Sequence, residues 1–410
     1  MPVIAKSSSS GFDAATRRSI AFLNLAHGID HFVLLIYPTV VIGLEVIYHR
    51  PYSELIAISS TAFVAFGLFA LPAGWLADHW SRRNMMAAFY FGCGLSLIGI
   101  ALSPNLITLS VMMFMLGVFA AIYHPVGMAI LIEASQARGR TLAFNGVCGN
   151  AGVSLAAGVS GALAYWISWR AAFLAPAVIC IVSGIAYVWL TPDDRHHVGK
   201  RKSAPAVALT PRAAVMFFGL FTVIALSAGV TFNVLTIALP KIVDERLSAD
   251  MPLVVVGGIA TAVLVCGALA QLTVGRAVEY LTPHAIFAIV TGLGFLGNLW
   301  AAYAGGASLM IALAIAIAAI YGQVTVQDII MARYTADAWR GRVYAVRYFL
   351  LFISAGAAIG MISMLHDRGG FALVLDVNAV IAFVLFMMTI ALVAMIINIE
   401  NKQHAPQPAE

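Results

Sequence analysis

Gly74-Trp75-Leu76-Ala77-Asp78-His79-Trp80-Ser81-Arg82-Arg83 is a short charged interruption between two long apolar runs, 55–77 and 84–103. Each run reaches the roughly 20 residues that a helix needs to cross a bilayer. Outward from this loop the same alternation continues in both directions. Twelve runs emerge: 20–45, 55–77, 84–103, 106–132, 141–165, 171–190, 213–240, 253–277, 284–304, 308–332, 343–365 and 371–398. Polar breaks such as Ser103-Pro104-Asn105 and Gly305-Gly306 separate them. Hydrophobic residues make up 62% of the 410-residue chain and charged residues 10%, with a mean hydropathy of +0.95. A soluble domain carries roughly 25% charged residues, so this chain belongs in a bilayer. The expected fold is all-α, with twelve transmembrane helices.

The charges that remain are unevenly placed. With both termini on the cytoplasmic side, 18 of the 23 Lys and Arg fall on that side, Arg17, Arg18, Arg82, Arg83, Arg138, Arg140, Arg276 and Arg340 among them. The opposite side holds only Arg50, Arg170, Lys241, Arg246 and Arg368. Cytoplasmic loops retain basic residues, which fixes the expected orientation in a cell inner membrane. The net charge of +5 is then a topology signal, and no nucleic-acid partner is expected. The first apolar run is too long for a cleaved signal peptide. The four cysteines, Cys93, Cys148, Cys180 and Cys266, lie in apolar runs without a CxxC pair, which speaks against a disulfide framework or thiolate metal site.

The chain repeats itself. Arg138-Gly139-Arg140 recurs as Arg340-Gly341-Arg342, and Pro38 as Pro240, both 202 positions on (340 − 138; 240 − 38). Gly74 and Asp78 recur as Gly275 and Glu279, 201 positions on (275 − 74; 279 − 78). The polar, Pro-flanked stretch 191–211 divides the repeats. The expected organisation is a tail over 1–19, a six-helix bundle over 20–190, a linker over 191–211, a second bundle over 212–398 and a tail over 399–410. Two halves inserted in the same orientation are related by an axis along the membrane normal, with a central site between them.

The opening loop resembles the signature loop between spans 2 and 3 of the major facilitator superfamily: Gly, three residues, Asp, a basic residue, one residue, Gly and two basic residues. Gly74, Asp78, Arg82 and Arg83 match; His79 and Ser81 depart from it. The resemblance implies two pseudo-symmetric six-helix bundles that transport by alternating access. It implies that Asp78 latches the halves against the start of span 11, and that Arg82 pairs with Glu133. A narrower resemblance lies in His27-Gly-Ile-Asp30-His31-Phe32, Tyr37-Pro38, Tyr123-His124-Pro125 and Gly149-Asn150-Ala-Gly152, which look like the fosmidomycin-resistance branch. That branch implies proton-driven export of small molecules. Where drug antiporters often carry a Gly-Pro pair late in span 5, this chain has Ala156-Ala157.

Ionisable residues at membrane depth are costly and usually functional. Span 1 holds His27, Asp30 and His31 within five positions, and Asn24, His27 and His31 recur on one face. Span 4 holds His124 before Pro125, a proline that can kink its helix. The expected proton and substrate site comprises Asp30, His27, His31, His124, Tyr37, Asn150, Gln323 and Gln327, with Asp30 carrying the coupling proton. Asn145 lines the same half. Asp328, Arg333 and Arg347 are expected to form a gate salt bridge. The expected partners are a small solute, protons and the bilayer, in a monomer without cofactor. Uptake by symport, of an organic or metal-containing solute, is the alternative direction. The His and Asp cluster also has the donor types of a metal site. A membrane enzyme would need a nucleophile beside a base or an HExxH motif, and ATP drive would need GxxxxGK[ST]; the chain has none of these.

Overall fold

The structure, a computed structural model, describes residues 12–134, 139–191, 209–247, 251–335 and 337–404. Arg138 of the repeat motif, most of the 191–211 linker and the outermost parts of both tails lie outside the described residues. Among those described, every regular element is helical. Eleven stretches are long and apolar enough to cross a membrane.

The first span is two helices, α1 (Ala14–Leu34) and α2 (Ile36–Tyr48), joined at Leu35, which is not helical (φ −101°, ψ 5°). Asp13 begins it. Its carboxylate accepts the Thr16 N–H at 2.7 Å, and that bond holds its pKa below the ordinary aspartate value. α3 (Tyr52–Ile58) and α4 (Ser60–His79) form the second span, α5 (Arg82–Ala101) the third. The fourth is α6 (Leu106–Ala120) and α7 (Met128–Ala134), connected by a π-helical turn over Tyr123–Gly127. α8 (Gly139–Trp166) and α9 (Ala171–Leu190) complete the first half. The second half holds α10 (Pro211–Arg246), α11 (Leu253–Ala277), α12 (Pro283–Tyr303), α13 (Gly306–Tyr334) and α14 (Asp337–His404).

α14 supplies the last two spans. Its 68 residues would make a rod of about 100 Å if straight, against a hydrocarbon core of about 30 Å. The chain breaks at Gly369 (φ −159°, ψ 20°) and Gly370 (φ 60°, ψ −161°). Gly370 adopts a backbone region that only glycine occupies cheaply. The twelfth span begins there, within a residue of the boundary read from the sequence.

The packing pattern exposes the two-fold relation. In the first half α1 packs on α8, α4 on α6, and α5 on α6 and α9. In the second, α10 packs on the first part of the α14 region, α11 on α13, and α12 on α13 and α14. In units of spans, 1–5, 2–4, 3–4 and 3–6 recur as 7–11, 8–10, 9–10 and 9–12. The two most extensive contacts between halves, α8 with α11 and α4 with α14, are likewise exchanged by that rotation. The fold is two pseudo-symmetric six-helix bundles.

Glycines let these helices approach. A methyl group added at Gly152 of α8 would lie 2.1 Å from the Gly28 carbonyl of α1. One added at Gly257 of α11 would lie 2.3 Å from the Ala157 carbonyl of α8. Small residues at such crossings allow backbone-to-backbone contact within a bilayer.

Candidate functional site

The first and fourth spans bring the polar residues together. Two proline-associated irregularities make this possible: Pro125 lacks the N–H that a regular helix would use, and the turn around it widens into a π-bulge. A Cβ on Gly74 would stand 3.3 Å from the Pro125 ring, so the signature-loop glycine and the bulge are packed together. The bulge presents His124 to α1. There, His124 Nε2 lies 3.3 Å from Asp30 Oδ2. Asp30 has no exposed surface, and neither of its oxygens accepts a well-aligned hydrogen bond.

Three imidazoles converge on this point. Ring centroids are 5.0 Å apart for His27 and His31, 5.5 Å for His27 and His124, and 5.4 Å for His31 and His124. His27 stacks on Tyr123 at 4.8 Å and donates through Nδ1 to the Asn145 carbonyl at 2.8 Å. A Cβ on Gly149 of α8 would stand 2.6 Å from the His27 Nε2. Asn145, 1% exposed, donates to Asn24 Oδ1 at 2.9 Å and lies 3.0 Å from the Tyr123 hydroxyl. The three histidines offer ligand atoms within 4.8 Å of one another. Ligands on one tetrahedral zinc, with bonds of about 2.0–2.1 Å, would stand roughly 3.3 Å apart. The three rings therefore have the donor types and the approximate spacing of a metal site, with the Asp30 carboxylate beside them.

The cluster reaches the other half through aromatic contact. His124 lies 5.2 Å from the Phe352 ring of α14, and Phe66 of α4 packs on Phe352 at 4.3 Å. Deeper toward the Arg82 end, Asn150 of α8 donates to Gln271 Oε1 of α11, a direct hydrogen bond between halves. Gln271 was not anticipated from the sequence; it is one polar residue in an apolar span, and nothing local pairs it with Asn150.

The remaining expected residues are distributed elsewhere. Tyr37 is fully buried and donates to the Leu55 carbonyl at 2.8 Å, tying α2 to α3 away from the histidines. Gln323 and Gln327 are buried in α13, and Gln327 Nε2 has no partner. Arg347 pairs with Asp328, whereas Arg333 pairs with Glu400 at 2.9 Å. At the same end, Arg82 bridges Asp78 at 3.0 Å and Glu133 at 3.2 Å. Arg83 donates to the Val188 and Thr191 carbonyls, capping α9 as a cation at a helix C-terminus should. Each of these ion pairs closes within one half.

At the opposite end the halves are joined. Lys241 of α10 holds Glu45 of α2 at 2.5 Å, Ser53 of α3 donates to Asp367 at 3.3 Å, and Ser363 donates to the Ser53 carbonyl at 2.8 Å. None of these residues was singled out in the sequence, because their partners are separated by 196, 314 and 310 positions.

Twelve spanning helices in two exchangeable bundles, with titratable side chains buried where the bundles meet, define a multi-pass membrane transporter. Residues 20–263 match the Major Facilitator Superfamily, more than half of the chain, and the protein belongs to that family. Its fold is similar to crystal structures of a bacterial homolog of the human lysosomal transporter Spinster. The inward-facing, unoccupied form aligns at a TM-score of 0.69 and the inward-facing, occupied form at 0.72. Each is 13% identical and covers 97% of this chain and 100% of that one. At that identity the likeness is one of fold.

Proposed function

We propose that the protein is a proton-coupled secondary transporter that exports a small solute across the inner membrane, with Asp30 and His124 exchanging the coupling proton. The observation that carries this reading is the Asp30–His124 pair at 3.3 Å with Asp30 wholly buried. An ionised carboxylate out of water and without hydrogen bonds costs several kcal/mol. A proton on either member of the pair removes that cost. Rocking the halves wets one side and then the other, so the pair gains its proton on one side and releases it on the other. His27 and His31 crowd the pair and orient it. Gln323, Gln327 and Asn150 supply uncharged hydrogen-bonding groups for a solute, and the aromatic rings of Phe66 and Phe352 an apolar face. The excess of Lys and Arg at the Arg82 end supports placing that end, with both termini, in the cytoplasm. The four motif segments shared with the fosmidomycin-resistance branch support export over uptake.

Everted vesicles with an acid lumen and a pH-sensitive dye test this. Fosmidomycin and a panel of small antibiotics are added to the bath, and an exported compound alkalinises the lumen as protons leave. A symporter working in the uptake direction leaves the lumen acid. Asp30→Asn is expected to abolish this alkalinisation and uphill accumulation while sparing exchange of labelled substrate at equal concentrations. Uphill transport at the wild-type rate in that variant would assign Asp30 a structural role.

A further inference from the structure

The Lys241 end of the molecule carries a second titratable cluster, far from the Asp30 pair in the sequence and on the other side of the membrane from Arg82. Lys241 is 6% exposed. Its ammonium group lies 2.5 Å from Glu45 Oε1, 3.0 Å from Asp244 Oδ2 and 3.5 Å from Glu245 Oε1. It also stands 5.6 Å from the Tyr52 ring. Glu245 is itself engaged: His366 Nε2 is 3.0 Å from one of its oxygens and 3.1 Å from the other. Tyr52 packs edge-on against His366 at 5.0 Å. Glu45, Tyr52 and Ser53 belong to the first half; Lys241, Asp244, Glu245, Ser363, His366 and Asp367 belong to the second.

We infer that this cluster is the outer gate of the transport path, with Lys241 binding the first half shut through Glu45 and His366 making that closure sensitive to protons. The reasoning is one of charge balance. Among the described residues that face the cluster, α2 contributes Glu45, α3 the neutral Tyr52, α10 Lys241, Asp244 and Glu245, and α14 His366 and Asp367. Three carboxylates, Glu45, Asp244 and Glu245, surround one ammonium, and a fourth, Asp367, accepts from Ser53. With a neutral imidazole the group carries three uncompensated negative charges, and Glu245 competes with Glu45 for the same ammonium while repelling it. An imidazolium on His366 forms its own two-oxygen pair with Glu245. That lowers the repulsion felt by Glu45 and leaves Lys241 to Glu45 and Asp244. The links that must break when the halves separate at this end are Lys241 to Glu45, Ser53 to Asp367, Ser363 to the Ser53 carbonyl, and the packing of Tyr52 on His366. The contacts of Lys241 with Asp244 and Glu245, three and four residues away on its own helix, survive separation. The desolvated ammonium therefore stays partly satisfied in both states, as a reversible gate requires. Protons in the outer medium accordingly favour the closed outer end.

The inference uses the proposed orientation only to call this medium the outer one. Its test works at equal pH on both sides. Val46 and Ala307 are exposed ends of opposite halves at this face. Spin labels on Val46→Cys and Ala307→Cys, with the four native cysteines replaced by alanine, report the outer-open fraction in lipid nanodiscs by electron–electron distance measurement. The outer-open fraction is expected to fall about threefold between about pH 8 and pH 5.5, the size of effect a partly exposed ion pair supplies. His366→Gln should abolish the pH response. Lys241→Gln should raise the outer-open fraction at every pH, and Lys241→Arg should restore closure, which separates loss of the gate from misfolding. The response should persist in Asp30→Asn. A pH response retained in His366→Gln, or an unchanged distance distribution in Lys241→Gln, would overturn the inference. Loss of the response in Asp30→Asn would assign it to the buried pair instead, overturning the gate while leaving the proton-coupling reading in place.

Discussion

Asn145 shows how one side chain can support a site without entering its chemistry. Its amide lies between Asn24 and Tyr123, both largely or wholly buried, while its backbone carbonyl, not its side chain, receives the His27 N–H. Truncation to alanine strands the Asn24 side-chain oxygen and removes one partner of the Tyr123 hydroxyl but leaves the carbonyl in place. Buried groups left unsatisfied cost about 1–3 kcal/mol. Asn145→Ala is therefore expected to lower the thermal unfolding temperature in detergent while luminal alkalinisation by a transported compound persists. Alkalinisation lost at unchanged stability would mean that the amide contacts the solute. The histidines and Asp30 stand out in the sequence because ionisable groups are rare at such depth. Asn145 does not stand out to the same degree, since an asparagine in an apolar helix serves equally well as interhelical glue.

At the scale of the element, the π-turn over Tyr123–Gly127 is what aims His124 at Asp30. A π-bulge fits an extra residue into one turn, so side chains before and after it are rotated relative to a continuous α-helix. Removing the cause should let the helix regularise. Pro125→Ala restores the missing N–H, and proline inside a regular helix is disfavoured by about 3 kcal/mol. The variant is expected to be more stable, by up to about that amount, and defective in transport. Either His124 turns away from Asp30, or Glu133 in α7 turns away from Arg82. Thermal unfolding and vesicle transport, measured together, check it; normal transport would show that His124 needs no bulge to reach Asp30. Hydropathy locates this span because composition alone decides whether a segment enters the bilayer. The bulge is only hinted at by Pro125, since proline is also compatible with a simple kink. The break between the last two spans was visible in His366-Asp367-Arg368-Gly369-Gly370. The continuation of helix through 366–368 was not, because His366 and Asp367 are held by Glu245 and Ser53, which are remote in sequence.

For the whole molecule, the two ends are unequal. The Lys241 end is held shut by contacts between halves, whereas the ion pairs described at the Arg82 end each stay inside one half. Composition and repeat spacing reveal that two halves exist, but not which end is joined. That depends on pairings across roughly 200 or more residues, which no local pattern encodes. The signature loop then has a defined place in the cycle. In this arrangement Asp78 has a side chain 62% exposed and a single described partner, Arg82, on its own half. When the outer end opens and the Arg82 end closes, the signature-loop resemblance implies that the end of α4 meets the start of α14. A carboxylate beside a helix N-terminus gains about 0.3–1 kcal/mol, a two- to fivefold shift in population. We propose that Asp78 supplies that preference to the outer-open state. Asp78→Asn is expected to raise the population seen here, to slow turnover by a similar factor, and to leave substrate affinity unchanged because the proposed binding residues lie elsewhere. Spin labels on Trp189→Cys and Tyr280→Cys, exposed residues at the Arg82 end of opposite halves, measure the shift directly. An unchanged distance distribution in Asp78→Asn would confine the role of Asp78 to its pair with Arg82.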